Sequence, residues 1–359
     1  MTKLTFIGDI FPGDGLFTRG FGIKSKTDKE HVKLWTNNIT KVVGKADYII
    51  GNLESPLIED SEAADETFYG SPLFADILKD SGINVLHIAN NHILEHSDRG
   101  FKNTIFTLHE RKIHTIGEVK DGKSNILTIE QDGAKICLAG FCDEHICDIN
   151  NPNCYASLEE EKVLETLERM KLQQPDIIIF CFHWGNEYIH IPSLEQRKLS
   201  RKLIDNGAHL IIGHHPHVIQ PYEKYKNGQI IYSLGNFCFD DVQSEHFKKG
   251  MLAKVEIENR SIQDITFEGI IVQDMGYHEN LVAPMSQQSF ECYFQKINNQ
   301  YIQLQEISDK AYQRFYQQTL NQEHNKERIK MRLSIIKKIL DIRHQHKRQF
   351  LHNIKKYIA

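Results

Sequence analysis

Residues 208–223 read "AHLIIGHHPHVIQPYE". A short apolar run, His209 to Ile212, meets Gly213, and three imidazoles follow within four positions. These are His214, His215 and His217, with Pro216 between the last two. An apolar run of this length closed by a turn residue reads as a buried strand. A core has little use for that much imidazole at a strand end. His-x-His at such an end is the ligand type of a divalent transition-metal site. Pro216 would stiffen the loop and fix the angle between His215 and His217.

Moving outward, residues 1 to about 275 alternate β-rich runs with helical patterns. The strand candidates are "KLTFIGD", "ADYIIGNLE", "INVLHIAN", "IHTIGE", "SNILTIE", "AKICLAGFCD", "DIIIFCFHWG", "AHLIIGHH", "QIIYSLGNF" and "MLAKVEIE". Helical patterns fall at 72–81, 98–111, 157–173 and 193–206. Such alternation predicts an α/β domain with strands buried on both faces. From "QIIYSLGNF" through "SIQDITFEGIIV" no helices intervene, so these strands are expected to pair antiparallel, and a layered α/β sandwich of mixed sheets follows.

The polar residues collect at strand ends, where open α/β sheets place ligands. The first strand ends at Asp9. The second ends "GNLES", with Asn52 and Glu54. The third ends "ANNH", with Asn90, Asn91 and His92. Another ends "FHWGNEY", with His183 and Glu187, and "SLGNF" carries Gly235 and Asn236. Any one of these is an ordinary cap or a satisfied core polar group. Their convergence points to a metal site.

The totals exclude other classes. The 359 residues are 40% hydrophobic and 25% charged with a net charge of -5, which does not suggest nucleic-acid binding. Seven cysteines with no C-x-x-C pair argue against a disulfide framework. Cys142, Cys147, Cys154 and His145 have no zinc-site spacing. There is no P-loop and no G-x-S-x-G. No run is long enough for a membrane span, and the opening residues go straight into a strand pattern, so a cytoplasmic location without a signal peptide is expected.

Composition changes near Pro284. Residues 287–322 hold ten Gln, and residues 326–359 hold eleven Lys/Arg against two Asp/Glu. A division into a domain over 1–283 and a helical, basic extension over 284–359 follows. Ile329, Leu333, Ile336 and Leu340 recur at helical spacing. That stripe would pack on the core or on a second subunit, or lie on an anionic membrane surface.

The segments "FIGDIFPGDG", "GNLESPL", "IANNHILEHSDRGFKNT", "FHWGNEY", "LIDNGAHLIIGHHPHVIQPYE" and "IYSLGNFCFD" together resemble the capsule-biosynthesis protein CapA family, associated with poly-γ-glutamate synthesis and similar to calcineurin-like metallophosphoesterases. The resemblance covers about residues 3 to 275. It implies a four-layer αββα fold with one or two divalent ions (Mn, Fe or Zn) at the edge of the paired sheets. The implied ligands are Asp9, Asn52, Glu54, Asn91, His183, His215 and His217. His92 or Glu187 would handle the proton, and His214, Gly235 and Asn236 would face substrate.

The chain departs from the calcineurin-like pattern in three places. Asp-x-His at the first strand is Asp9-Ile10-Phe11. The Asp expected to bridge two metals is Asn52, with Glu54 as its substitute. N-H-x-x-D reads "NHILE", with Glu95 for Asp. Three activities stay open: a phosphoesterase-like hydrolase in capsule or envelope polymer synthesis, a non-catalytic metal-binding assembly factor of a polymer-synthesis complex, and an amide-bond hydrolase or transferase acting on polyglutamate. The expected partners are an anionic polymer or a phosphorylated small molecule, with assembly through the C-terminal helices or peripheral membrane contact, and no nucleic acid.

Overall fold

Two facing sheets collect the apolar runs of the sequence. The structure, a computed structural model, describes residues 1–143, 154–239, 247–273, 278–341 and 344–358. The segment holding His145 and Cys147 lies outside the described residues. One sheet has eight strands, with the order Val282–Pro284, Ser261–Val272, Lys249–Glu258, Thr2–Phe11, Tyr48–Leu53, Ile83–His87 and His114–Ile116, and Asn236–Phe239 alongside Thr2–Phe11. The other has six strands, in the order Tyr222–Tyr225, Gly228–Ile231, Leu210–His214, Ile177–His183, Ala134–Cys142 and Leu127–Gln131.

The layers follow from which side chains meet. Phe6, Ile50 and Val85 of the eight-stranded sheet pack directly on Ile136, Ile179 and Ile212 of the six-stranded one. The opposite face of the first sheet, with Ile7, Ile49 and Leu86, is covered by Trp35, Leu78, Phe101 and Leu108 from helices Lys29–Val43, Phe74–Asp80 and Ser97–Glu110. Phe180 and Ile211 on the far face of the second sheet meet Leu167, Met170, Leu199 and Leu203 from helices Glu160–Leu172 and Leu194–Asp205. The result is a four-layer αββα sandwich of mixed sheets. Each fully buried aliphatic or aromatic side chain in it contributes roughly 2 kcal/mol of transfer free energy.

The sequence reads "QIIYSLGNF" as one strand, but the chain divides it. Gly228–Ile231 stays in the six-stranded sheet, parallel to Leu210–His214 and antiparallel to Tyr222–Tyr225. Asn236–Phe239 crosses to the other sheet and runs parallel to the end of the first strand. The expectation of antiparallel pairing therefore holds for Lys249–Glu258 with Ser261–Val272, and for the latter with Val282–Pro284, but not for Asn236–Phe239. Gly235, at φ 69°, makes the turn between sheets. A Cβ there would stand 2.7 Å from the Lys249 carbonyl oxygen, so glycine is required on both counts.

The helices after Pro284 join the same core. Phe290, Phe294 and Ile297 of helix Gln287–Gln305 pack with residues of the seam between the sheets. Tyr301, Leu304, Tyr312 and Tyr316 extend the cover on the six-stranded sheet. Buried Glu223 anchors this part: its Oε2 accepts from Tyr232 Oη at 2.7 Å and Tyr301 Oη at 2.6 Å, and its Oε1 accepts from Arg201 at 2.6 and 2.9 Å. Ile329 and Leu333, on helix Asp309–Asp341, are 59% and 60% exposed. The side chains of Ile336 and Leu340 lie outside the described residues. Docking of the last helix, His344–Ile358, rests instead on Phe350, buried against Phe17 and Phe21, and on Asn353, which donates to the Phe17 and Arg19 carbonyls.

Tyr301→Phe removes a donor from a buried carboxylate. The expected cost is about 1–3 kcal/mol, read as a lower urea midpoint with the slope unchanged; an unaltered midpoint would mean the anchor is not stabilising.

Candidate metal centre

Strand register lines up the polar strand ends before any side chain is considered. In the eight-stranded sheet Asp9 pairs with Asn236 on one side and Asn52 on the other, and Asn52 pairs with His87. In the six-stranded sheet His214 pairs with His183, and His183 with Cys142. The two rows face one another at the same end of the seam. Gly8 lets the Gly235–Asn236 turn lie against the first strand: a Cβ on it would lie 1.9 Å from the Gly235 carbonyl oxygen, which instead accepts from Asp9 N at 3.0 Å.

Asp9 is fully buried and central. Oδ1 accepts from Asn52 Nδ2 at 2.9 Å and stands 3.2 Å from His214 Nδ1. Oδ2 accepts from the backbone N–H of His215 at 3.2 Å and stands 3.4 Å from His217 Nδ1. Burial alone would raise this carboxyl, but His214 and His217 outweigh it and hold it well below the usual range. Glu54 differs. Its Oε1 lies 3.6 Å from His183 Nε2 and 3.5 Å from His217 Nε2, yet among the described residues it has no hydrogen-bond partner. Burial, with Asp9 and Glu187 nearby, pushes Glu54 well above its ordinary value despite His217.

The imidazoles separate by environment. Burial lowers His183 well below its ordinary value and His215 to about 4, each helped by a neighbouring histidine. His217 suffers the same burial, but Glu54 and Asp9 overcome it and raise it to about 10. His215 and His217 are held at φ 92° and 55°, a region uncommon for non-glycine residues. Strain of this kind persists where the surroundings over-determine it, and it clusters at functional sites.

Two sets of three ligand atoms lie within 4.8 Å of one another: Glu54 with His215 and His217, and Asp9 with Glu54 and His183. Glu54 belongs to both sets. Its orphaned Oε1 and the Nδ1 of His215, a residue of the same set, are buried polar atoms without a hydrogen-bond partner among the described residues. These N and O donors fit a divalent ion, whose charge would offset the cost of ionising Glu54 in a buried place.

The remaining expected residues take these places. Asn52 spans the site as a donor, to Asp9 Oδ1, to Glu54 Oε2 at 3.4 Å and toward His183 Nδ1 at 3.2 Å. Asn91 Oδ1 lies 2.8 Å from His183 Nε2. His92 stands at the rim, its Nδ1 2.8 Å from Glu95 Oε1 and its ring stacked on Phe68. Glu187 is half-buried, and His217 and His215, acting against burial, keep it below the ordinary carboxylate range. His214 sits behind Asp9, away from the rim. Asn236 spends its amide on His217 Nδ1 at 2.9 Å and on the Phe247 carbonyl at 3.0 Å.

Sequence reasoning overlooked His87 and named Asn90 without giving it a role. His87 is fully buried with both ring nitrogens unpartnered among the described residues, 6.1 Å from the His214 ring. Asn90 donates to Asn52 Oδ1 at 3.2 Å and to the Leu53 carbonyl at 2.7 Å, which fixes the amide of Asn52. A histidine in the middle of an apolar strand and the first Asn of an Asn-Asn pair were the available signals. Asp14, the next acidic residue after Asp9, is used by its own loop, accepting from Gly20 N, Ser25 N and the Ser25 hydroxyl.

The fold and site define a layered α/β protein with a candidate divalent-metal centre at the strand ends of two facing sheets. The chain belongs to the bacterial capsule synthesis protein PGA_cap family, whose model matches residues 3–241. Capsule biosynthesis protein CapA of Bacillus anthracis is 30% identical over 252 residues, which cover 66% of this chain and 59% of that protein. PGA biosynthesis protein CapA of Bacillus subtilis (strain 168) is 28% identical over 282 residues, 73% of this chain and 72% of that protein. The chain thus matches less than two thirds of the Bacillus anthracis relative. Among solved structures, a 5'-nucleotidase precursor from Thermus thermophilus aligns with a TM-score of 0.47 and 12% identity, over 82% of this chain and 59% of that one.

Metal binding at His217 must displace its proton. Because that proton is held up to about pH 10, affinity for Mn²⁺ or Zn²⁺ should rise with pH by about tenfold per unit or more through neutrality. Calorimetric titration at about pH 6, 7 and 8 checks this, and a pH-independent affinity would contradict the assignment of His217.

Proposed function

We propose that this protein is a metal-dependent hydrolase of a phosphoester or related bond, working in bacterial capsule or envelope polymer metabolism. The observation that carries this reading is Glu54, a buried carboxylate common to two ligand sets, with Asp9 and His183 in one and His215 and His217 in the other. That sharing lets Glu54 take the bridging part for which Asn52 lacks the charge, and it favours two ions over one. Two close cations need a shared anion to offset their repulsion. Divalent ions bound there would supply Lewis-acid polarisation and an activated water.

The chain's own groups supply the rest. His92 is the histidine at the rim, and Glu95 at its Nδ1 leaves Nε2 to face outward and give a proton to a leaving group. Glu95 thus serves where the family pattern has Asp. Glu187, kept ionised at neutral pH, is the acceptor for the opposite proton. Asn52 and Asn91 hold the His183 ring through its two nitrogens, and a bound ion would take the place of one of them while the other keeps the ring oriented. Capsule metabolism comes from family membership, and PGA biosynthesis belongs to the name of the Bacillus subtilis relative.

A second reading has its own support. Phe11 stands where the calcineurin-like pattern has a histidine, and its ring packs on Phe68 and Phe239. With Asn52 also neutral, the centre has fewer anionic ligands than an active two-metal hydrolase of that pattern. An assembly factor that keeps the metal for binding would tolerate both changes.

Elemental mass spectrometry of the wild type beside His215→Ala/His217→Ala, with hydrolysis of a phosphomonoester and a phosphodiester, separates the readings. Near-stoichiometric metal, lost in the double variant with about 100-fold or more of the activity, is the expected result. Bound metal without turnover would favour the assembly factor. No metal in either protein after reconstitution would overturn both.

A further inference from the structure

A second recess opens beside the metal centre, where the domain meets its helical extension. It is a cavity of about 320 Å³ whose wall includes Tyr188, Phe247, Tyr293, Lys296, Lys326 and Lys330. Three lysines line it, and among the described residues the carboxylate in its wall is that of Glu323, which lies 2.6 Å from Lys326 Nζ. Lys249 adds a fourth cation, with Nζ 4.4 Å from the centre of the Tyr293 ring. Neither Lys249 nor Lys296 meets a carboxylate among the described residues. Tyr293 Oη is buried in the same wall without a hydrogen-bond partner there.

This composition selects its ligand. Lysine ammonium groups in a partly enclosed recess raise the local potential and bind oxyanions as point charges. An unpartnered phenol gives the directional donor that such a site uses to fix one oxygen. An apolar or cationic occupant would leave Lys296 and the Tyr293 phenol unmatched among the described residues.

The position connects it to the metal centre. Tyr188 follows Glu187 directly in the chain, and its ring lies 4.4 Å from that of Phe247. The Phe247 carbonyl accepts from Asn236, whose Oδ1 is 2.9 Å from His217 Nδ1. A molecule with its reacting bond at the metal centre and a second charged group farther along would reach both places. Two of the recess walls, Tyr293 to Lys296 and Lys326 to Lys330, come from the helices after residue 284, beyond the stretch matched by the family model.

We propose that this recess is an anion subsite that takes a carboxylate or phosphate group of the substrate, and that the extension thereby sets which substrates the chain accepts. The proposal rests on the metal centre being the reacting site. It restricts substrates to those with an oxyanion besides the group that reacts, either a polycarboxylate chain or a multiply phosphorylated molecule.

The test measures binding of triglutamate and of tripolyphosphate to the full chain by calorimetry after chelator treatment, so that the recess is read without metal. At least one probe should bind, less tightly as salt rises. Lys296→Glu should weaken it by about tenfold or more, equivalent to about 1.4 kcal/mol, and Tyr293→Phe by a smaller factor. Lys79→Glu, on helix Phe74–Asp80, should leave it unchanged. The probe that binds identifies the source of the oxyanion. The proposal is overturned if neither probe binds the wild type, if Lys296→Glu and Lys249→Glu both bind like wild type, or if Lys79→Glu weakens binding equally. Probe binding that depends on Lys296 in a protein without metal-dependent turnover would remove only the hydrolytic reading. Turnover with binding indifferent to Lys296 would remove only the subsite.

Discussion

Two carboxylates with no access to water, Asp9 and Glu54, set the terms for everything around them. An isolated buried carboxylate is too costly to keep ionised, so each must find positive charge or protonate. Asp9 finds His214, His217 and the N–H of His215. Glu54 has only long approaches to His183 and His217. The asymmetry is geometric: imidazole nitrogens approach both oxygens of Asp9, at 3.2 and 3.4 Å, and Glu54 keeps an unsatisfied oxygen in the middle of the ligand groups. A divalent cation is the species that resolves both at once.

That arrangement needs the two sheets to end at one level. Register supplies it within each sheet, and Asn236–Phe239 supplies it between them. The chain leaves the six-stranded sheet after Ile231, and Asn236–Phe239 joins the other beside Asp9, bringing the amide of Asn236 under His217. Close backbone approach explains why glycine is needed at Gly8 and Gly235, where a Cβ would strike the Gly235 and Lys249 carbonyls of the neighbouring segments. Strain in the His215–His217 loop is held by the same contacts, including the Asp9 carboxylate on the loop's own backbone.

The helices after residue 284 are part of this balance. They complete the seam with Phe290 and Phe294, tie to Glu223 through Tyr301, and return to the first loop through Phe350 and Asn353. Their basic character is unevenly used. Some of it faces acidic side chains, such as Glu66 against Lys356, and some lines a recess beside the metal centre. No described helix is long and apolar enough to cross a membrane.

Much of this was legible in the residues alone. Apolar runs of strand length, alternating with helical spacing, determined a layered α/β fold, because burial on both faces leaves no other way to satisfy such runs. Imidazole and carboxylate at successive strand ends determined where the chemistry collects, because strand ends in such sheets share one edge. Tertiary structure decided what spacing cannot express. It split "QIIYSLGNF" between two sheets, because Gly235 turns the chain at a positive φ. It gave Glu54 rather than Asn52 the shared position, and it withdrew Asp14 into its own loop. It also drew in His87, which reads locally as part of an apolar strand, and it docked the tail through Phe350 rather than Ile329 and Leu333. Those outcomes depend on which atoms meet across the seam, and on which of two buried acids the nearby imidazoles reach first, distances set by packing between segments far apart in the chain.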